Sequence, residues 1–569
     1  MFTSLLFTNE NICINSVYLC YSLSSSDDEW VPPKRLRHTS RAGSSVRRRS
    51  AQQAASSAES WHDISDADED PAVNFFPKCT PGPQLVTTAT YSPLELFQLF
   101  FTSSVIGTII KNTNEFAAKR VEVGKKFIWI PLAVKDVLAY IGIVIYMGLV
   151  NAKTIGDYWA RKDIYSFPFP QFAMSRSRFQ SISWNLHLSN IKDDEENARK
   201  KGTPDYDRLY KIKPLYTDIV SAWKTYFHPR KQLIAVDERM VSSKARIVLK
   251  QCMKDKPTKW GYKLFVLADS ICGYTWNFYA YERKSSTETG KGLSYESVMR
   301  LLDLSLLGQG YHIFMDNFYT SLTLFSDLLL KYTQACGTIR PNRQGFPKTK
   351  VNDLSRKAKR GEIRWIRYGK LLFVKWMDTR EVTMCSTIHK SYNGDTVNRR
   401  VKTAESGWRR HQVPVPVAVM EYNKYMGGVD LSDALIGYYN VLHKTKKWYK
   451  TFFFHFIDIA VVNSYILHSE LSKLQNKTPL TQKIFRELLS ELISGTTEQT
   501  TSAASSSHAP AQMCLPEYFG SDARRICVLC QTEDKKVKTP VYCVKCNVAL
   551  CFVSSRNCFQ RWHTEEHSS

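Results

Sequence analysis

The spacing of apolar residues changes along the chain, and the first long pattern is helical. From about residue 93 to 229 apolar residues recur every three or four positions, the period of an amphipathic helix. Ser92, Pro93 and Glu95 form a typical helix start, with a capping residue, a proline at the first position and a glutamate at the third. The same period predicts further helices near residues 134–149, 176–188 and 215–227.

After residue 231 the pattern becomes that of strands. Strands alternate with helices from there to residue 340, and Cys272 and Gly273 supply a turn. The predicted order is strand 232–241, strand 262–269, strand 274–283, helix 294–307, strand 311–317, helix 321–331 and strand 335–340. Three strands, helix, strand, helix, strand is the order of an RNase H-like core. The predicted fold class is therefore α/β, with a mixed sheet flanked by helices.

A second set of strands interrupts this core. Residues 363–389 alternate apolar and polar side chains around a turn at Tyr368 and Gly369, which predicts antiparallel strands. Helices resume near Gly427 and include a long apolar stretch, 448–467, that carries Lys450 and Asp458. These charges favour a buried core helix, and the apolar run at 138–150 is too short to cross a bilayer.

These patterns divide the chain into eight segments. We predict a disordered tail (1–85), the first part of a helical domain (86–231), the first part of the catalytic core (232–341), a β-rich insertion (342–412), the second part of the core (413–440), the second part of the helical domain (441–493), a linker (494–523) and a Cys-rich module (524–569).

Composition narrows the class of partner. The 569 residues include 78 Lys and Arg against 53 Asp and Glu, a net charge of +25. Such an excess favours a polyanion as partner, although a soluble protein with solvated charge is the simpler alternative. Six of the 14 cysteines follow residue 526, so a reducing compartment fits better than a secreted disulfide scaffold. Basic clusters at 34–37 and 47–49 suggest nuclear import, so we expect the nucleus, and no segment predicts a membrane partner.

Acidic residues in the predicted core indicate catalysis. Asp237 lies within an apolar strand, Asp316 closes another, and Asp430 and Asp433 are three residues apart, hence on one face of a helix. A carboxylate at the end of a core strand is costly unless it is paired or binds a metal ion. Phosphodiester chemistry needs such oxygen ligands to hold two cations about 4 Å apart. Taken singly, each aspartate is more simply explained as a capped or ion-paired residue, and only their joint placement on strand, strand and helix favours catalysis.

The C-terminal module has the spacing of zinc ligands. Cys527 and Cys530 form one CxxC pair, and Cys543 and Cys546 form a second. The remaining candidate ligands are Cys551, Cys558, His563 and His567, enough for two interleaved structural Zn2+ sites. A RING-like or PHD-like module, acting in ubiquitin transfer or histone-tail binding, is the alternative.

Several motifs, in order, resemble the piggyBac family of DNA transposases and their domesticated relatives from about residue 90 onward. They are DYWARKDIYSFPFPQFAMSRSRF (157–179), LHLSN (186–190), IAVDERMV, GYKLFVL, GYHIFMDNFYTSLTLF, CGTIRPNR (336–343), EYNKYMGGVDLSDALIGYY (421–439) and WYKTFFFHFIDIAVVNSYIL (448–467), followed by the Cys/His module.

The resemblance implies that Asp237, Asp316 and Asp430 are the catalytic aspartates, that Asp433 assists them, and that Mg2+ is the metal. It further implies an RNase H-like core split by the β-rich insertion, with a dimerisation and DNA-binding domain of helices on both sides. The partners implied are double-stranded DNA, as transposon terminal repeats and TTAA targets, and a second copy of the chain in a homodimer. The zinc module would recognise the transposon end.

Basic residues after the third acid strengthen the expectation of DNA binding. Lys444, Lys446, Lys447 and Trp448 lie within HKTKKWYK (443–450), where lysines can neutralise phosphates and the ring can stack on an unpaired base. A solvated helix start with a buried Trp448 is the alternative. The chain is thus expected to be a metal-dependent transposase. A domesticated DNA-binding protein or a resolvase-like nuclease on the same core are the competing functions.

Overall fold

A computed structural model provides the coordinates. It describes residues 59–71, 74–161, 166–245, 247–254, 256–282, 289–403, 407–441, 445, 447–495, 516–519, 524–543, 548–553 and 555–564. The descriptions below concern these residues.

Helices dominate the first part, as the apolar period predicts. Two short strands, β1 (Phe76–Pro77) and β2 (Gly82–Pro83), precede seven described helices, α1 (Pro93–Gln98), α2 (Ser103–Glu122), α3 (Val134–Leu149), α4 (Pro168–Ala173), α5 (Arg176–Asn185), α6 (Ile191–Arg199) and α7 (Lys213–Tyr226). At the start of α1 the Ser92 side chain accepts from the Glu95 backbone, and the Glu95 carboxylate accepts from the Ser92 N–H. The predicted capping box is confirmed, because each side chain satisfies an N–H that the helix leaves free.

The core that the sequence predicts is a mixed sheet with helices packed against it. The elements of this part of the chain are β3 (Phe227–His228), β4 (Leu233–Ser242), β5 (Lys250–Cys252), β6 (Trp260–Asp269), β7 (Thr275–Ala280), α8 (Leu293–Leu301), α9 (Leu304–Leu307), β8 (Gly308–Gln309), β9 (His312–Met315), α10 (Leu322–Leu330) and β10 (Gln334–Thr338). Strands β3 and β8 lie outside the mixed sheet, where they pair with β2 and β1. Strand β9 runs parallel to both β4 and β10, whereas β6 runs antiparallel to β4. This arrangement is the mixed sheet that the element order predicts.

Five strands follow in the predicted insertion, and the first three of them extend this sheet. They are β11 (Ile363–Tyr368), β12 (Leu371–Met377), β13 (Glu381–Ser386), β14 (Thr396–Thr403) and β15 (Gly407–Pro414). Strand β13 pairs with β10, which gives nine strands among the described residues, in the order β11-β12-β13-β10-β9-β4-β6-β5 with β7 beside β6. The insertion predicted at 342–412 is therefore joined to the core by hydrogen bonds between β13 and β10. Strands β14 and β15 form a hairpin of their own.

Helices close the body after the insertion. They are α11 (Val417–Tyr425), α12 (Gly428–Gly437), α13 (Trp448–Leu474) and α14 (Gln482–Ser494). Helix α13 is, among the described residues, the one helix long and apolar enough to cross a membrane, but 89% of its apolar window is buried inside the protein. Its burial confirms the predicted core helix.

The segment before residue 86 differs from its prediction. Residues 1–58, 72 and 73 lie outside the described part, but residues 59–71 pack on the inserted strands rather than forming a disordered tail. Trp61 is 1% exposed, and its indole N–H donates to the Thr349 carbonyl at 3.1 Å. Asp68 binds the Arg367 guanidinium at 2.6 and 2.8 Å. The polar composition of this segment predicted disorder, but the buried Trp61 and the ion pair of Asp68 with Arg367 hold it on the protein.

The C-terminal module contains β16 (Pro516–Tyr518), β17 (Arg525–Ile526), α15 (Val528–Thr532), β18 (Lys538–Thr539), β19 (Val541–Cys543), β20 (Phe552–Val553), β21 (Arg556–Asn557) and α16 (Cys558–Thr564). A small separate core surrounds its cysteines, including Leu529, Leu550 and Phe559. Such short elements bury little apolar area, so the cysteines must supply much of the stability.

Replacing Trp61 tests whether the segment before residue 86 belongs to the folded body. Trp61→Ala leaves a cavity under the Lys375 ammonium, which lies 4.6 Å from the ring, and should destabilise the protein by about 3–5 kcal/mol. Ile64→Ala, at a side chain that is 51% exposed, is the control and should change little. Thermal unfolding of the full chain measures both, and equal melting temperatures would contradict the anchoring role.

Candidate active site and cysteine cluster

Asp237 and Asp316 lie side by side because two parallel strands carry them. Val236 of β4 is in register with Met315 of β9, so the next residue of each strand is an aspartate at the same level of the sheet. Asp316 follows the last residue of β9, and its Oδ1 accepts from the Phe318 N–H at 2.9 Å. The strand pairing thus brings together two acids that are far apart in sequence.

The protein environment opposes ionisation of both carboxyls. Burial, followed by the nearby charges of Glu238 and Asp316, raises the pKa of Asp237 to about 7, against the lowering effect of Lys256. Burial and Glu238 also raise the pKa of Asp316. Two like charges held in a partly dry site repel each other, so a bound cation would stabilise the ionised pair.

Asp430 reaches the same region from helix α12. It lies in the first turn of that helix and is exposed, whereas the neighbouring Gly428 is buried. A Cβ at Gly428 would lie 2.9 Å from the Asp269 carbonyl oxygen and 3.2 Å from the Ala235 Cβ. Only glycine therefore lets the start of the helix rest directly on strands β4 and β6.

Asp433, one turn further along α12, has a cationic partner. Its carboxylate accepts from Nε of Arg239, the residue two positions after Asp237 on β4. The same guanidinium donates to the Ser432 hydroxyl at 2.8 Å. Asp433 is thus hydrogen-bonded to a guanidinium in this structure.

Lys256 connects the acids electrostatically. Its ammonium lies 3.8 Å from Asp237 Oδ2. Burial would lower the pKa of Lys256, but nearby carboxylates raise it above its ordinary value; they are Asp237, Glu238, Asp430 and Asp433. The positive charge of Lys256 therefore interacts electrostatically with acids of both β4 and α12. All four of the predicted catalytic acids consequently belong to one region of the molecule.

The residues present fit divalent cations with oxygen ligands. Five carboxylates of this region face three cationic groups; the acids are Asp237, Glu238, Asp316, Asp430 and Asp433, and the cations are Arg239, Lys256 and Lys263. Lys263 binds Glu238 at 2.8 Å and Arg239 binds Asp433, which leaves Lys256 to balance the other three acids. An excess of carboxylate oxygens is the donor set that Mg2+ prefers.

The residues that support these acids carried weaker signals in the sequence. Arg343 donates from one Nη to the carbonyls of Asn317 and Phe318, both at 2.8 Å, and so fixes the loop after Asp316. Arg239 and Lys256 likewise contact acids far away in the chain. Their positive charges looked like ordinary surface charge in the sequence, and only the pattern of neighbouring acids could have suggested pairing.

The basic segment after α12 is described only in part. Lys444 and Lys446 lie outside the described residues, whereas Lys447 is exposed at the N-cap of α13. Trp448 is half-buried, with its ring 5.9 Å from the ring of Phe452. Lys450 is buried and donates to the Ser183 carbonyl at 2.6 Å. Lys450 therefore serves packing, and Lys447 is the described lysine of this segment that faces solvent.

Four cysteines of the C-terminal module form a cluster suited to zinc. The sulfurs of Cys527, Cys530, Cys551 and Cys558 all lie within 4.8 Å of one another, and all four side chains are buried. Cys530 Sγ is 3.8 Å from Cys551 Sγ and 3.5 Å from Cys558 Sγ. Tetrahedral zinc with Zn–S bonds of about 2.3 Å separates its sulfurs by about 3.8 Å. The cluster therefore has the size of a zinc site with four thiolate ligands.

The grouping of ligands could not be read from spacing alone. Cys551 and Cys558 complete the site of the first CxxC pair, and Cys543 is buried outside this cluster at the end of β19. Cys546 and His567 lie outside the described residues, and His563 lies in α16. The second zinc site remains a prediction, with Cys543, Cys546, His563 and His567 as the ligands left for it.

Comparison with known proteins adds a family relationship to this geometry. Residues 92–465 match the Transposase IS4 family. The human PiggyBac transposable element-derived protein 3 is 27% identical over 400 residues, which are 69% of this chain and 63% of the relative. The human PiggyBac transposable element-derived protein 5 is 22% identical over 428 residues, 72% of this chain and 78% of the relative. The chain therefore spans less than two thirds of the length of the first of these relatives.

A solved structure shares the fold. The piggyBac transposase, determined by cryo-EM in a synaptic complex with hairpin DNA, matches with a TM-score of 0.63 and 22% sequence identity. The match covers 83% of this chain and 98% of that chain. At this identity the likeness establishes a common architecture.

Zinc content tests the four-cysteine cluster. Elemental analysis of the full-length protein should find about two Zn2+ ions per chain, and Cys530→Ser should remove about one of them. Cys252→Ser is the control, because Cys252 is exposed and distant in sequence from the module. Zinc content that is unchanged in Cys530→Ser would refute the site, and one ion per wild-type chain would refute the second site.

Proposed function

The chain belongs to the piggyBac-type branch of the Transposase IS4 family, and on this premise we propose that it is a metal-dependent DNA transposase. In this proposal it cuts transposon ends and joins them to TTAA target sites. The proposal rests mainly on one observation: strand pairing places Asp237 beside Asp316, and Lys256 interacts electrostatically with both Asp237 and Asp430. A protein that only binds DNA gains nothing from carboxylates whose pKa burial has raised.

We assign the metal ligands to three acids. Asp237 and Asp316 would hold the ions from adjacent strands, and Asp430 would complete the set from α12. Two Mg2+ ions bound there would activate the attacking oxygen and stabilise the leaving oxygen. Lys256 neutralises part of the acidic charge before metal and DNA arrive. The glycine contact of α12 with the sheet keeps the third acid at a fixed height above the other two.

DNA would approach across exposed basic residues of the strand connections near Lys256 and of the β14–β15 hairpin. Lys244, Lys254 and Lys259 are exposed on the connections between β4 and β6, close in sequence to Lys256. Arg400, Arg409 and Arg410 are exposed on the hairpin of β14 and β15. Exposed lysines and arginines bind phosphates without reading sequence, so they would orient the duplex. The solved relative forms its complex with hairpin DNA, which supports DNA as the substrate here.

The remaining parts of the proposal follow from the family. The zinc module would recognise the transposon terminal repeat, and the helices on both sides of the core would form a homodimer that brings two ends together. The protein would work in the nucleus, where its DNA substrate lies and to which the basic clusters at 34–37 and 47–49 would direct it.

One observation favours a second function. The similar human proteins are named as derived from transposable elements, so a host gene can keep this architecture. In this alternative the chain is a nuclear DNA-binding protein that no longer transposes. The two functions make different predictions for strand cleavage, because binding alone needs no metal ligands.

Replacing each acid with its amide separates the two functions. Asp237→Asn, Asp316→Asn and Asp430→Asn keep the side-chain shape but remove a charged ligand. Each should reduce nicking of a terminal-repeat duplex ending in TTAA by about 100-fold or more in Mg2+, since metal ions contribute several kcal/mol to such transition states. Binding of the same duplex should remain within a few-fold of wild type.

A matched control accompanies these variants. Asp327→Asn changes an aspartate of α10 that pairs with Lys291, outside the acidic region, and should nick at the wild-type rate. Wild-type protein that binds this DNA in Mg2+ but never nicks it would support the domesticated function. Normal nicking by any one of the three active-site variants would refute the ligand assignment of that residue.

Salt dependence tests the basic segment after α12. Replacing Lys444, Lys446 and Lys447 with Ala should weaken DNA binding and reduce the log–log salt slope by about 0.9 for each lost phosphate contact. Lys473→Ala is the control, because this lysine pairs with Glu470 near the other end of α13. Binding measured from low to moderate salt gives the slope, and an unchanged slope would mean that these lysines touch no phosphate.

A further inference from the structure

We propose that Arg239 is a positioning residue that fixes helix α12 on strand β4, and that Asp433 contributes by binding this arginine instead of a metal ion. The inference rests on the proposed function, since it concerns how the third metal ligand, Asp430, reaches its place. It gives the fourth acid a role different from that of Asp237, Asp316 and Asp430.

The contacts of Arg239 converge on one turn of α12. Its Nε donates to Asp433 Oδ1, and its Nη2 donates to the Ser432 hydroxyl at 2.8 Å. The same Nη2 lies 3.3 Å from the Thr275 hydroxyl of strand β7, which in turn lies 2.9 Å from the Ser432 hydroxyl. One guanidinium therefore ties two consecutive helical residues to two strands of the sheet.

The spacing of these residues explains how the contact would set Asp430. Asp237 and Arg239 are two apart on a strand and point to the same face, whereas Asp430 and Asp433 are three apart on one face of a helix. The strand thus presents Asp237 and then Arg239 on one face, and the helix presents Asp430 and then Asp433 on one face. With Arg239 and Asp433 joined, the preceding turn carries Asp430 toward the level of Asp237.

Charge and burial favour an arginine partner for Asp433. Arg239 is only 2% exposed, and a buried guanidinium without a carboxylate costs several kcal/mol. Asp433 is the carboxylate that hydrogen-bonds Arg239 among the described residues. If Asp433 turned toward a metal ion, the buried guanidinium of Arg239 would lose its carboxylate partner. The oxygen of Asp433 that accepts from Arg239 therefore cannot also bind a metal ion.

Two glycines make the arrangement precise. Gly428 rests on the ends of β4 and β6, and a Cβ at Gly273 would lie 2.9 Å from Leu431 Cγ. These close contacts set the distance between helix and sheet. Contacts without directed bonds do not, however, prevent the helix from rotating about its axis. Directed hydrogen bonds from Arg239 to Ser432 and Asp433 fix that rotation, and with it the direction of the Asp430 side chain.

Metal binding by the full-length protein distinguishes positioning from ligation. Mn2+ serves as the probe, with electron paramagnetic resonance reporting the free ion in the absence of DNA. If Arg239 positions the site, Arg239→Gln should weaken Mn2+ binding by about tenfold, and Asp433→Asn should weaken it similarly. The double variant should bind no worse than either single one, because both changes break the same contact.

The opposite role for Asp433 predicts the opposite sign. If Asp433 were a ligand, Arg239→Gln would remove a competing cation and tighten Mn2+ binding, while Asp433→Asn would weaken it. Either that result or additive losses in the double variant would overturn the proposal. Wild-type protein that binds no Mn2+ would instead refute the proposed function, and this inference with it.

Two further variants separate positioning from general stability. Arg239→Lys keeps the charge and can still reach Asp433, so it should recover part of the affinity and provide a folded variant if Arg239→Gln does not fold. Arg230→Gln removes a comparable arginine–carboxylate pair, with Glu470, just before β4. It should lower the melting temperature but leave Mn2+ affinity unchanged; equal losses of affinity in Arg230→Gln and Arg239→Gln would reduce Arg239 to a stabilising residue.

Discussion

The parallel pairing of β4 with β9 is the constraint on which the site depends. It brings Asp237 and Asp316 to the same level of a buried sheet, where burial and the charge of Glu238 oppose the ionisation of both. A fold keeps such a pair only if the surroundings compensate. Here Lys256 approaches from the β5–β6 connection, and Arg343 holds the loop that follows Asp316. The cost of the two carboxylates thus accounts for the cations around them.

Helix α12 is the second part of this arrangement, and it connects the mixed sheet to the helices that follow it. Gly428 lets it rest on the sheet, and Asp458 of α13 accepts from the Val441 N–H at 3.0 Å just beyond its end. Beyond the same end, Arg486 of α14 donates to the Tyr439 carbonyl at 3.1 Å. The helix that carries Asp430 therefore rests on the sheet at its start, and the chain just beyond its end is held by α13 and α14. Its position depends on residues from β4 to α14.

The inserted strands have a similar structural consequence. Because β13 hydrogen-bonds to β10, the insertion continues the core sheet, and the edge that β10 would otherwise expose is covered. The segment around Trp61 then packs on these strands, with His62 stacked on Trp365 at 4.5 Å. Strand β10 is also the parallel neighbour of β9, the strand that leads into Asp316, so one sheet joins the inserted strands to the acids.

The sequence by itself determined the kinds of element and their order, and it predicted which acids form the site. Apolar periodicity and capping residues act within one turn or one strand, so they predicted α1, the mixed core and the turns at Gly273 and Gly369. Family motifs indicated the transposase family, which the match over residues 92–465 shows, and they predicted the roles of the aspartates. The cysteine spacing indicated zinc, since a CxxC pair places two thiolates on one ion whatever the rest of the fold.

Only the tertiary structure decided which distant residues become partners. The sequence could not show that Cys551 and Cys558 join the first CxxC pair, that Arg239 binds Asp433, or that Trp61 is buried. Each of these contacts joins residues that are far apart or that compete with equivalent residues nearby. Which residues become partners depends on how the sheet and the helices pack as a whole. The sequence around a charged residue or a cysteine does not show which partner it will contact in the folded protein.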